Sequence, residues 1–97
     1  MTCAVPKKER SDYVQELVLR YFEKVVGPGR LVTMGTSLGP DGLGHTPAKR
    51  KSYYQDLSDR LSVKGCALKT LRPNGFGDTK KFSTIGDIAT MVEKDLV

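Results

Sequence analysis

The chain has one histidine, His45, and only two cysteines, Cys3 and Cys66, in 97 residues. With a single imidazole and no C-x-x-C pair, the ligand set of a structural zinc site is missing, so no metal is expected. Two cysteines, one of them near the start of the chain, do not make the framework that staples a small secreted fold, and both are expected as free thiols. No stretch approaches the ~18 apolar residues that a membrane span requires, and MTCAVPKKERS lacks the apolar run of a signal peptide. No membrane association is expected, and the expected compartment is the cytoplasm. The glycine-rich runs GPDGLG and PNGFGD are not followed by Gly-Lys-Ser/Thr, so they read as turns and not as phosphate cradles. Internal repeats, low-complexity segments, helix-turn-helix spacing and RNA-binding motifs are all missing.

What the chain does have is a composition that folds, 38% hydrophobic and 28% charged, in a length that allows one domain and no second core. Its charge is unevenly placed. Between Thr46 and Lys81 there are nine basic residues against three acidic ones, a local +6 within a total of +5. A concentrated basic region attracts acidic proteins, nucleic acid or anionic head groups without choosing among them.

Residues 1–10 are polar, carry Pro6 and read as a flexible leader. From an N-cap at Ser11 or Asp12, Val14, Leu17, Val18, Tyr21, Phe22 and Val25 keep to one helical face, ended by Gly27 and Pro28. A long irregular connection follows, with a brief extended piece at Leu31, Val32 and Met34. Thr46 as N-cap and Pro47 at the first helical position open a second helix, whose Tyr53, Tyr54, Leu57 and Leu61 share a face. Gly65 closes it. Cys66, Ala67, Leu68 and Leu71 suggest a short helical turn or two, ended by the turn signal Arg72-Pro73-Asn74-Gly75, with NGFGDTKK as a surface loop. A last helix starts at Ser83 or Thr84, with Asp87 placed for a capping box, and buries Ile85, Ile88, Ala89, Val92 and Leu96. The expected fold is all-α: a small three-to-four-helix bundle over residues 11–97, with a long loop between helices 1 and 2.

Three pieces of sequence resemble the acyl carrier protein family. The first is the amphipathic helix ending at Gly27 and the loop with Val32-Thr33 and Thr36-Ser37-Leu38. The second is Leu43-Gly44-His45-Thr46-Pro47, similar to the family's Leu-Gly-x-Asp-Ser at the start of its second helix. The third is Phe82-Ser83-Thr84-Ile85-Gly86-Asp87-Ile88, similar to the apolar-Thr-Thr-Val lead into its last helix. The likeness spans about Ser11 to Val97.

The resemblance implies a bundle of the acyl-carrier type. It also implies a serine bearing 4′-phosphopantetheine, and here the chain departs from the family. Pro47 occupies the serine position, and a second register, Leu38-Gly39-Pro40-Asp41-Gly42-Leu43, puts Gly42 there. Neither side chain has a hydroxyl to attack phosphate. Ser37 is the one nearby serine in a comparable context, and a local turn hydrogen bond is its simpler role. The family's second helix is acidic, whereas this one opens Lys49-Arg50-Lys51, a placement that the helix dipole disfavours.

The expected function is that of a non-enzymatic carrier-like domain that meets an acidic protein surface through Lys49, Arg50, Lys51, Tyr53 and Tyr54, without cofactor. The alternatives are a functional carrier that holds 4′-phosphopantetheine on an atypical serine, and a small basic nucleic-acid-binding helical domain, in which lysines and arginines would meet phosphates and the tyrosines would stack on bases.

Overall fold

The computed structural model describes residues 3–69, 76 and 81–96. Three helices run through them: α1 over Arg10–Val26, α2 over Pro47–Ser62 and α3 over Ile85–Asp95. A 3₁₀ turn at Lys7–Glu9 leads into α1. No strand forms among the described residues, only the isolated bridges Ser37–Thr84 and Leu68–Leu96. The chain is an all-helical small bundle.

The local signals act where the residue types place them. In α1 the expected stripe is the buried one, with Val14, Val18, Tyr21 and Phe22 inside. Gly27 takes φ +88°, a left-handed value open to glycine, and its N–H donates to the Glu23 carbonyl. Thr46 accepts from the Lys49 N–H on its side chain, and Pro47 takes the first helical position. Thr84 and Asp87 complete a reciprocal capping box at α3. Burial would raise the Asp87 carboxyl, but bonds from the Ser83 hydroxyl and from the Thr84 and Ser83 amides hold it below its usual value.

Three expectations fail. The first concerns residues 3–9, which are no free leader: the Ala4 N–H donates to the Lys64 carbonyl, Arg10 Nε donates to the Val5 carbonyl, and Val5 is buried. Helix α1 accordingly begins at Arg10, with Glu9 at its N-cap, two or three residues before the expected cap at Ser11 or Asp12. The second concerns the thiols, because Cys3 and Cys66 form a disulfide that ties the start of the chain to the end of α2. The third is the helical turn after Gly65. Leu68 instead pairs with Leu96, and the Lys69 N–H donates to the Asp95 carbonyl at 2.6 Å. That stretch serves as an extended strap, since its backbone groups find partners on the chain's end rather than on themselves. The turn at 72–75 and the loop from Asn74 to Lys81 lie outside the described residues, except for exposed Lys81 and for Phe76, which is fully buried between Tyr54 and Phe82.

The long connection from Gly27 to Thr46 is strapped down as well. Leu38 is fully buried and its N–H donates to the Ser83 carbonyl at 2.8 Å. The Ile85 and Gly86 amides, which have no partner inside their own helix, donate back to the Thr36 and Met34 carbonyls. The loop thereby closes the open end of α3 and comes to rest beside the start of α2.

Candidate functional site

A cleft of about 630 Å³ opens where these pieces meet, lined by Ser37 and Asp41 of the loop, His45 to Pro47 and Arg50 at the head of α2, and Ser83 before α3. Arg50 lies within it, 2% exposed. Its Nε donates to the His45 carbonyl at 3.1 Å and its Nη1 to the Phe82 carbonyl at 2.6 Å. The guanidinium thus joins the entry of α2 to the segment that enters α3. No carboxylate among the described residues pairs with it, since the ion pair found there joins Arg20 to Glu16.

His45 sits next to it. Its Nδ1 faces the hydroxyl of Tyr53, a residue that is itself buried. Burial pushes the Tyr53 hydroxyl up to about 12, against the opposing pull of Arg50 and with a small push from Asp56. Kept protonated, that hydroxyl shares one hydrogen bond with Nδ1, whose direction follows the imidazole tautomer. The imidazole is held below its ordinary pKa by burial first and then by the charges of Lys49, Arg50 and Arg30. Arg30 reaches this neighbourhood because its Nη2 donates to the Gly42 carbonyl.

Ser37, Asp41 and His45 line one cleft, but they do not make a nucleophile and base. The Ser37 hydroxyl donates to the Asp41 carboxylate at 2.7 Å and accepts from the Gly39 N–H, a local turn. The glycine-rich loop spends its amides on itself, with Gly42 and Gly44 both donating to the Gly39 carbonyl. At Gly42 a Cβ would overlap the Ser37 carbonyl, so this position admits no side chain without a shift of the backbone.

The five residues expected to face a partner divide. Lys49 and Lys51 are exposed. Arg50 and Tyr53 are not, which corrects their assignment to the surface: they fall on the line Arg50, Tyr53, Leu57, Leu61 that α2 buries. Tyr54 is half-buried, its ring tilted against Phe76 at 5.7 Å. The signal for Arg50 was in the spacing, three residues before Tyr53 on the apolar stripe, and its charge concealed it. Further along α2, the hydroxyl of buried Tyr21 donates to Asp56 at 2.7 Å, and Arg60 lies over the same ring. These contacts fasten α1 to α2 and leave the solvent side of the α2 entry to Lys49 and Lys51.

Comparison with family models, with the curated proteins and with the solved structures gives no match in any of the three.

Proposed function

We propose that this chain is a carrier-shaped helical domain that bears no prosthetic group and acts as a docking module, its α2 entry binding an acidic protein surface through Lys49 and Lys51. One observation carries the reading: Pro47 stands at the first position of α2 with Thr46 as its cap, so the place where a carrier's serine would stand holds an imino acid. The alternative register is supported less well, because Gly42 has no room for a side chain. Ser37, the atypical candidate, has its hydroxyl committed to Asp41 and Gly39.

The charge of the α2 entry favours an acidic partner. Its first turn contains no acidic residue, and Lys49, Lys51 and Arg30 are all exposed. Complementary charge at such a rim speeds association and rejects partners of like sign. The nucleic-acid reading is less favoured, since Tyr53 is enclosed and Tyr54 half-enclosed, which removes the stacking platform that the sequence suggested. The bridge between Cys3 and Cys66 favours an oxidising compartment over the cytoplasm.

The test is a cross-linking capture from native-host extract, with wild type and the K49E/K51E variant compared at equal stability. Loss of the captured acidic proteins in the variant is the expected result. Equal capture removes this face as the interface.

A further inference from the structure

The buried guanidinium of Arg50 has more donors than the protein uses. Of its five N–H groups, Nε and one at Nη1 are taken by the His45 and Phe82 carbonyls, and Nη2 meets no acceptor among the described residues. Buried donors are rarely left so, and a buried cation without a carboxylate is costly to retain. Arg50 nevertheless lines the open cleft at the head of α2, so what completes it can arrive from solvent.

The surroundings favour an anion. Lys49 and Arg30 lie within electrostatic reach of the same imidazole as Arg50, and the N-terminal end of a 16-residue helix adds its dipole. The helix end is not the main donor, because the Lys49 and Arg50 amides are spent on Thr46 and Pro47 has none. Two carboxylates oppose, and both are occupied: Asp41 by the Ser37 hydroxyl, and Asp87, behind the lining, by the Ser83 hydroxyl and amide. Arg50 supplies the positive charge of the lining, and Lys49 and Arg30 add to it from outside the lining.

We infer that this cleft binds the phosphate of a phosphomonoester, with Arg50 Nη2 as its inner donor and the exposed charges of Lys49 and Arg30 nearby. A planar guanidinium with an unspent amino group suits a tetrahedral oxyanion of more than one charge. The cleft, at about 630 Å³, exceeds a bare phosphate, so the ligand carries an organic part that lies along Pro40 and Pro47. Lys51 takes no part and Lys49 is shared with the docking face, so Arg50, buried in the cleft, is the residue that belongs to this site alone.

His45 is the one histidine of the chain and lines the cleft, so its NMR resonances report on binding without a label. The probes are inorganic phosphate and glycerol phosphate, titrated against acetate and chloride at matched ionic strength. The expected result is a saturable shift with both phosphates and only a shallow, unsaturating drift with acetate and chloride. R50Q is expected to abolish the shift. Where R50Q does not fold, R30Q/K49Q, which changes two exposed residues, is expected to weaken it. Sedimentation with phosphatidylcholine vesicles, with and without phosphatidic acid, distinguishes a lipid source of the phosphate from a soluble one. A wild-type response to phosphate no larger than that to chloride overturns the inference, as does unchanged affinity in folded R50Q or in R30Q/K49Q.

Discussion

Arg50 donates to the Phe82 carbonyl across 32 residues of chain, at 2.6 Å, and this bond holds the entries of α2 and α3 together. The same side chain fixes the His45 carbonyl. Replacing Arg50 by methionine keeps the length of the side chain and strands two carbonyls, each at a cost of about 1–3 kcal/mol where water cannot reach them. Lysine is expected to restore only part of this loss, because one ammonium replaces a planar fork that spans both acceptors. Urea unfolding of R50M and R50K measures it. A change under half a kcal/mol in R50M would mean that the bond is not structural.

The lead into α3 is a second point of fixation. The Asp87 carboxylate takes bonds from the Ser83 and Thr84 amides and from the Ser83 hydroxyl. T84A removes the reciprocal cap and is expected to cost about 1 kcal/mol. The acid behaviour has a definite sign. Because the folded-state pKa of Asp87 lies below its unfolded value, the stabilisation is whole above the ordinary carboxyl range near 3.8 and disappears as pH falls through the depressed value. D87N should flatten that part of the stability profile; an identical acid limb in D87N would assign it to other carboxylates.

His45 gives a profile of the same sign at milder pH. Its folded pKa is lowered, so the unfolded chain binds a proton first, near the ordinary value of 6.5. Stability is full above that value and declines as pH drops below it, until the folded-state imidazole also takes up its proton. H45Q is expected to remove this decline, as read from thermal melts between pH 5 and 8. A wild-type melting temperature flat across that range contradicts the placement of His45.

The disulfide closes a loop between residues 63 apart in sequence. Loop entropy alone attributes about 4 kcal/mol of stability to a closure of that size. The purified chain is expected to resist alkylation until reduced, and C3S to melt well below wild type. Alkylation of both cysteines in the untreated protein would return them to free thiols.

The parts of this fold that could be read from sequence are those governed by neighbours in sequence. Thr46-Pro47, the Thr84/Asp87 box and Gly27 announce helix ends through groups one to four residues away, and the stripes of α1 and α3 follow from period alone. What stayed hidden depends on where distant segments come to rest. Nothing near Cys3 shows that the leader returns to Cys66, and nothing near Leu38 shows that its backbone pairs with Ser83. Leu68 was expected in a helical turn because four apolar residues fit a short period, whereas its partner, Leu96, lies 28 positions away. Arg50 was placed outside by its charge and is inside by its register. In the candidate site, the exposed lysines were legible and the cleft behind them was not.

The head of α2 is proposed as a surface that meets partners, not as a point of covalent loading. Intact mass after co-expression with a phosphopantetheinyl transferase of broad specificity tests this most directly. The expected product is the unmodified chain with its disulfide. A chain carrying 4′-phosphopantetheine, on Ser37 or on any other residue, contradicts it.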